Sequence, residues 1–186
     1  MDPPPALRQV VAQVHEALQA AGLPYAVVGR AAGAVWGSGQ RPEQVDVVVK
    51  LEPGHADALI AGARSHGFET EAGLAELAAE HGDHLTLFPE EGPYVDVKPA
   101  RGASDMAALR TAVERNVDGG EASLATLEET IARLLAEGTE EDVLAARRLL
   151  ALHRAEVDPG YLGQRCEELG VAHLLREVQG EAPGPR

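Results

Sequence analysis

The stretch YAVVGRAAGAVWGSGQRPEQVDVVVK, from Tyr25 to Lys50, contains two short apolar runs joined by a glycine-rich connection. The run VDVVV is rich in β-branched valine and predicts a buried strand, as does YAVV before it. Between them, AAGAVWG predicts a short helix or a turn. One carboxylate, Asp46, lies inside the second predicted strand. Because burying an unpaired charge is costly, this residue must lie on an open face, be paired, or hold a metal ion.

Strands and helices alternate on both sides of this stretch. Upstream, apolar residues at helical spacing predict a first helix that ends at Gly22. Downstream, a helical pattern runs from Gly54 to His66, and LTLF and YVDV predict a hairpin around PEEGP. A second hairpin is predicted around Asp118 and Gly119. The sequence therefore predicts an α/β domain over residues 1–125.

The chain after residue 125 has a helical pattern. Thr126 with Glu129 forms a capping-box pattern, Thr139 offers a weaker start signal, and Asp158 before Pro159 predicts the start of a further helix. These signals predict a C-terminal helical segment over residues 126–178. Residues 179–186 are rich in glycine and proline, which predicts a flexible tail.

Charge and cysteine content restrict the classes of function. The 186 residues include 16 Lys and Arg against 30 Asp and Glu, a formal charge of −14, which opposes broad nucleic-acid binding. The single cysteine, Cys166, excludes an intrachain disulfide; its helical context favours a buried residue over a nucleophile. A single cysteine also fits a reducing, cytoplasmic setting. No stretch is apolar for long enough to span a bilayer, so we expect no membrane segment.

A second carboxylate, Asp96, lies inside another predicted strand, YVDV. Taken singly, Asp46 and Asp96 fit outward-facing strand residues. Together with the glycine-rich turn they favour a site.

The order of these motifs resembles the nucleotidyltransferase superfamily, in particular its small bacterial members of the AbiEii and minimal-nucleotidyltransferase type. The resemblance rests on YAVVGR, a glycine-containing short helix, QVDVVV, a helix and YVDV, and extends over residues 5–176. It implies an α/β (α+β) fold with a mixed sheet flanked by helices and followed by a C-terminal helical segment. It also implies transfer of a nucleoside monophosphate from an NTP to a hydroxyl of a protein, small molecule or RNA, with Mg²⁺ or Mn²⁺.

Residue by residue, the resemblance makes Gly29 the first turn glycine, with Arg30 where Gly or Ser is usual. Gln44 falls at the first aspartate of the strand pair, Asp46 at the second and Asp96 at the third. A register shifted by two would make Asp46 the first and place Val48 at the second, so either alignment loses one carboxylate. Asp46 and Asp96 are thus the implied catalytic metal ligands. A glutamine amide is a neutral, weaker donor than a carboxylate, so the implied metal site is weakened.

Three arginines are further candidates for nucleotide binding. Arg30 either clamps nucleotide phosphates or pairs with Asp46 and closes the site. The resemblance places Arg41 at the rim of the site, where a solvated loop arginine is the alternative. Arg133 stands near a lysine position of the superfamily and either reaches substrate phosphate or covers its own helix.

Two other interpretations remain open at this point. His81, Asp83 and His84 have metal-ligand spacing, but the stretch precedes a strand and favours a polar turn. Gln44 and Arg30 also fit an inactive member that binds a nucleotide or a partner, including one half of a toxin–antitoxin pair. A protein partner or a homodimer is compatible with either function.

Overall fold

The computed structural model describes residues 4–52, 54–117 and 120–180, which form seven strands and nine helices. The strands are β1 (Tyr25–Val28), β2 (Gln44–Val49), β3 (Phe68–Glu69), β4 (Leu85–Pro89), β5 (Tyr94–Pro99), β6 (Val113–Val117) and β7 (Gly120–Leu124). The helices are α1 (Pro5–Ala20), α2 (Gly29–Val35), α3 (Ala56–Ser65), α4 (Ala72–His81), α5 (Ala103–Thr111), α6 (Leu127–Glu137), α7 (Glu140–Leu152), α8 (Pro159–Glu168) and α9 (Ala172–Gln179).

All seven strands form one mixed sheet in the order β3-β4-β5-β2-β1-β7-β6. β2 pairs with β5, and β1 with β7, in parallel, whereas the other neighbours are antiparallel. Both predicted hairpins, β4–β5 and β6–β7, are confirmed. The turn residues 118–119 of the second hairpin lie outside the described residues.

The two faces of the sheet differ in what covers them. Val45, Val47 and Val49 of β2 are buried in the main core, to which α1 and α3 contribute. Because strand side chains alternate between faces, Val48 lies on the opposite face, in a small cluster with Val28 and Ala108 of α5. Asp46 shares this second face, which α5 covers in part. The sheet therefore leaves room for a cleft beside Asp46.

The helix boundaries follow their sequence signals. The Thr126 hydroxyl accepts a hydrogen bond from the Glu129 amide at 3.3 Å, and Thr139 accepts one from the Asp142 amide at 3.2 Å. Asp158 accepts one from the Gly160 amide at 2.9 Å at the start of α8. These side chains satisfy backbone donors that have no partner within the first helical turn.

The C-terminal part contains α6–α9 and the single cysteine. Cys166 is fully buried, and burial raises the pKa of its thiol to about 11, which agrees with the predicted buried residue. The predicted tail begins within α9, at Gln179, and residues 181–186 lie outside the described residues. In the described ranges, none of the helices is long and apolar enough to cross a bilayer.

Candidate functional site

Asp46 and Asp96 are direct neighbours in the sheet. In the parallel ladder between β2 and β5, Asp46 is the register partner of Asp96, so both side chains lie on the same face. Both line a cleft of about 270 Å³ between the sheet, α5 and α6. The two strand carboxylates singled out in the sequence are thus brought together at one cavity.

Gln44 orients Asp46. Its amide Nε2 donates a hydrogen bond to Asp46 Oδ1 at 2.6 Å, and its oxygen accepts one from the Tyr94 hydroxyl. Burial raises the pKa of Asp46; the bond from Gln44 lowers it, and the charge of Asp96 raises it, so that the pKa lies above its ordinary value. The Gln44 oxygen is therefore already engaged, and this side chain supports a cleft carboxylate.

His84 contacts the second carboxylate. Its Nδ1 lies 2.7 Å from Asp96 Oδ2, and the side chain lines the cleft while remaining about half exposed. His84 lies in the non-helical segment between α4 and β4, where the sequence predicts a polar turn. Over residues 4–52, 54–117 and 120–180, no group of three or more His, Cys, Asp or Glu side chains is arranged to hold a metal ion. His81 ends α4, and residues 82–84 form the connection that brings His84 to Asp96.

Gly29 brings backbone close to the carboxylate pair. It opens α2 with φ of +62°, and a Cβ atom built there would lie 3.4 Å from Asp46 Oδ2. Any other residue at this position would be strained, because L side chains rarely adopt this backbone conformation. A glycine is therefore required where β1 turns into α2 beside Asp46.

Arg30 pairs with the C-terminal helices. Its Nε and Nη2 donate to the two carboxylate oxygens of Asp142 at 2.7 Å each. Asp142 is fully buried and also accepts a hydrogen bond from Gln40 Nε2 at 2.9 Å. The prediction that Arg30 pairs with Asp46 is therefore wrong, because Arg30 pairs with Asp142 instead. The sequence predicted Asp142 only as a charge at the start of a helix. Because 112 positions separate Asp142 from Arg30, no local pattern indicated their contact.

This pair predicts an acid-sensitive contribution to stability. Burial raises the pKa of Asp142, but hydrogen bonds from Arg30, Thr139 and Gln40 outweigh it and hold the pKa below its ordinary value. Stability from a lowered carboxyl pKa is present above the unfolded value near 3.9 and is lost as pH falls through the folded value. We expect the free energy of unfolding to fall less steeply in Asp142→Asn than in the wild type below about pH 5.

Urea titrations of both proteins between neutral pH and about pH 3 measure this difference, because the stability that carboxylates contribute is lost as they are protonated in that range. Asp57→Asn, an exposed carboxylate on α3, is the matched control and should follow the wild-type curve. Parallel curves for wild type and Asp142→Asn would contradict the assignment.

Two cations line the cleft together with the carboxylate pair, Lys98 from β5 and Arg133 from α6. Lys98 Nζ lies 3.1 Å from Asp105 Oδ2, and Arg133 Nη2 donates to Asp105 Oδ1 at 3.3 Å and to the Ser104 carbonyl at 2.9 Å. Burial raises the pKa of Asp105, but Lys98 and Arg133 outweigh it and hold it below its ordinary value. Lys98 and Arg133 thus share Asp105, and Glu137 of α6 adds a further carboxylate to the lining of the cleft. Sequence reasoning missed Lys98, although its spacing from Asp96 puts both on one face of β5.

A buried ion pair connects this side of the cleft to α8. Glu129 of α6 is fully buried and accepts hydrogen bonds from Arg165 and, at 2.8 Å, from the Tyr161 hydroxyl. Arg165 Nη2 also donates to the Ser104 hydroxyl at 3.2 Å, and Ser104 lines the cleft. The position of α5 beside the cleft therefore depends on α6 and α8.

A second cavity, of about 310 Å³, lies on the other side of Asp46. Its walls include Arg30, Gln40 and Gln44, with Arg41 exposed at its edge and Tyr94 at the start of β5. Arg41 thus lines the same cavity as Asp46, and its role in nucleotide binding stays a prediction. We refer below to the first cavity as the cleft and to this one as the second cavity.

The mixed sheet with this strand order and its flanking helices has a nucleotidyltransferase-like fold. Several solved structures resemble it. An antigenic nucleotidyltransferase-like protein from Paracoccidioides brasiliensis gives a TM-score of 0.58 at 17% identity, over 97% of this chain and 95% of that one. The antibiotic-resistance factor ANT(2'')-Ia gives 0.54 at 13% identity, over 92% of this chain and 96% of that one.

The third structure, the lincosamide antibiotic adenylyltransferase LnuA bound to lincomycin, gives a TM-score of 0.52 at 15% identity, over 82% of this chain and 99% of that one. At these identities the similarity is one of fold. No protein-family model matches the chain, and no curated protein matches its sequence. The fold prediction is confirmed, and the AbiEii-type assignment stays a prediction.

Proposed function

We propose that this protein binds an NTP with one divalent cation and transfers a nucleoside monophosphate to a hydroxyl acceptor. The observation that carries the proposal is the in-register pair of Asp46 and Asp96 at the cleft, beside Gly29. The three similar structures support it at the level of fold.

The carboxylate pair fits one Mg²⁺ or Mn²⁺ ion. Burial and the charge of Asp96 both raise the pKa of Asp46, so a cation between the two carboxylates would relieve an unfavourable arrangement. Mg²⁺ is commonly held by one or two carboxylates together with water and substrate phosphates. Two ions fit less well, because a neutral amide, Gln44, stands at the first aspartate position of the resemblance and its oxygen is engaged by Tyr94.

When bound, the cation would neutralise phosphate charge and polarise the reacting phosphoryl group. The other roles fall to the chain's own side chains. Lys98 and Arg133 carry positive charge for phosphate oxygens at the cleft. In the reaction, the acceptor oxygen bonds to the α-phosphorus, the bond from that phosphorus to pyrophosphate breaks, and the hydroxyl proton is released to water.

Calorimetric titration with a non-hydrolysable NTP, with and without Mg²⁺, tests this proposal. We expect binding that depends on Mg²⁺ and weakens when Lys98 is replaced by Met, because that change removes a cation from the cleft while keeping most of the apolar stem. Absence of binding with every NTP in the presence of Mg²⁺ would rule the proposal out.

The Gln44→Asp variant tests whether the metal site is weakened. The added carboxylate would lie in register beside Tyr94, whose hydroxyl can still donate to it, and two positions from Asp46 on the same face. We expect about tenfold tighter Mg²⁺ in the nucleotide complex, within the range seen when groups around a metal change. Gln9→Asp, an exposed change on α1, is the matched control. Unchanged or weaker Mg²⁺ affinity in Gln44→Asp would contradict the weakened-site interpretation.

The alternative function is an inactive member that binds a nucleotide or a partner, including half of a toxin–antitoxin pair. The comparisons do not favour it, because two of the three similar structures are antibiotic-resistance or antibiotic-modifying proteins. By analogy with LnuA, a small hydroxyl compound is the first acceptor class to test.

A further inference from the structure

We infer that two copies of this chain bind each other, with α4 of one copy docked in a groove between α7, α8 and α9 of the other. The groove has a volume of about 520 Å³. None of the described residues that line it also lines the cleft or the second cavity. Association through this groove therefore goes beyond the proposed function and does not depend on nucleotide transfer.

This C-terminal groove combines apolar walls with positive charge. Apolar side chains from the three helices and from the connection between α7 and α8 line it: Leu150, Val157, Leu162 and Val178. Arg147 and Arg154 are exposed, and of the described residues around the groove they alone carry a charge. A binding partner should therefore present apolar side chains next to negative charge.

The two arginines of the groove are available for new ion pairs. In the described part of the chain, the guanidinium groups of Arg147 and Arg154 form neither an ion pair nor a hydrogen bond. The chain as a whole has 30 acidic residues against 16 basic ones. Carboxylates are thus in excess on every copy of the chain, whereas unpaired arginines beside an apolar groove are a local feature.

Helix α4 has the complementary apolar surface. It packs on α3, β4 and β5, and its buried side chains are alanines, Ala75, Ala78 and Ala79. Leu74 and Leu77, in contrast, are 40% and 43% exposed. An amphipathic helix ordinarily turns its larger apolar residues toward the core. The leucine face of α4 therefore fits a helix whose outer side is covered by a partner.

Carboxylates flank the two leucines. Leu74, Leu77 and Glu80 follow one another at intervals of three positions, so they are neighbours on the helix surface. Glu76 and Glu80 are both exposed, and Glu80 has His81 as a neighbour, with Nε2 at 3.8 Å from its carboxylate. The outer face of α4 thus combines apolar and acidic groups, where the C-terminal groove combines apolar and basic ones.

A second copy of the chain is the occupant that matches both surfaces. Its α4 supplies two leucines for the apolar walls of the groove and carboxylates for Arg147 and Arg154. Amphipathic helices commonly bind grooves in this way, with apolar anchors about one turn apart. The formal charge of −14 repels two copies at long range. At physiological salt this repulsion is screened beyond about 8 Å, whereas direct contacts between opposite charges remain.

Sedimentation velocity of the full chain at physiological salt, over protein concentrations from about 1 to 500 μM, tests this contact. We expect the mean mass to rise with concentration above that of one chain. In a dimer with two-fold symmetry the contact occurs twice, and in a head-to-tail arrangement once per pair, so both raise the mass. A wild-type protein that stays monomeric over the whole range would overturn the inference.

Charge reversal identifies the two surfaces. Arg147→Glu with Arg154→Glu makes the groove acidic, and Glu76→Arg with Glu80→Arg makes α4 basic. Each double variant alone then brings like charges together at the contact, and we expect association at least about 100-fold weaker than in the wild type. Double variants that each associate as the wild type does would contradict the assignment of these surfaces.

An equimolar mixture of the two double variants is the decisive sample. In a mixed pair an acidic groove meets a basic α4, and a basic groove meets an acidic α4, so opposite charges face each other again. We expect the mixture to associate within about threefold of the wild type. A mixture that stays monomeric while the wild type associates would overturn the inference.

The apolar part of the contact is tested by Leu77→Ala, which should weaken association about tenfold because a leucine is lost from the groove. Met106→Ala shortens a side chain of the same exposed fraction, 43%, on α5 and should leave association unchanged. Glu16→Arg with Glu114→Arg, at exposed positions of α1 and β6, controls for the change in net charge. Equal losses in Leu77→Ala and Met106→Ala would remove α4 from the contact.

Discussion

Replacing Asp46 by Asn should remove Mg²⁺-dependent nucleotide binding and at the same time stabilise the fold. The variant leaves Asp96 as the single carboxylate of the pair, so nucleotide affinity should fall by about 100-fold or more, equivalent to about 2.8 kcal/mol. The Asn side chain keeps an oxygen that can accept the hydrogen bond from Gln44. Calorimetric titration with a non-hydrolysable NTP and Mg²⁺ measures the loss.

The expected gain in stability follows from the pKa of Asp46. Burial, with the charge of Asp96, raises that pKa above its ordinary value, so the ionised group at neutral pH is less favourable in the folded than in the unfolded state. Asn removes this cost, and the melting temperature should rise. Loss of function together with increased stability is typical of a residue retained for its chemistry.

Asp57→Asn serves as the control, because it makes the same change at an exposed position on α3. It should change neither nucleotide binding nor stability by much. Nucleotide binding that survives in Asp46→Asn would remove Asp46 from the site, and a lowered melting temperature would show that its carboxylate has a structural role.

The sequence predicts the carboxylate pair well because each member has a local signal. A charge between β-branched residues is conspicuous for both Asp46 and Asp96, and the superfamily resemblance places the two strands side by side. Lys98 lies two positions after Asp96 and therefore on the same face of the strand. A lysine near the end of a strand is nevertheless common, so the sequence alone does not indicate that it lines a cleft. Its pairing with Asp105 of α5 appears only when the chain is folded.

The parts that could not be predicted depend on contacts between distant segments. Arg30 stands in a position where the superfamily usually has a small residue, and its partner Asp142 has an adequate local explanation as a helix-start charge. α5 carried no clear helical pattern, because it packs on the sheet mainly through small residues such as Ala107 and Ala108. Periodicity fails where alanine replaces larger apolar residues.

The buried pair of Glu129 and Arg165 predicts the largest effect on stability. The side chain of Glu129 is fully buried and that of Arg165 is 4% exposed. Burial disfavours the charged form of Arg165, but hydrogen bonds to Glu129 and Glu168 outweigh it and keep the pKa above its ordinary value. Glu129→Leu would leave this guanidinium buried without its main partner. We expect a loss of about 3 kcal/mol or more in the free energy of unfolding.

A double-mutant cycle measured by urea unfolding tests the origin of that loss. Because most of the cost comes from the charge left alone, Glu129→Leu combined with Arg165→Met should recover most of the stability. Glu177→Gln, an exposed change on α9, should stay within about 0.5 kcal/mol of the wild type. If the two single losses simply add in the double variant, the ions do not stabilise each other. If the double variant recovers stability but still does not bind nucleotide, the Glu129–Arg165 pair also positions Ser104 and α5 at the cleft.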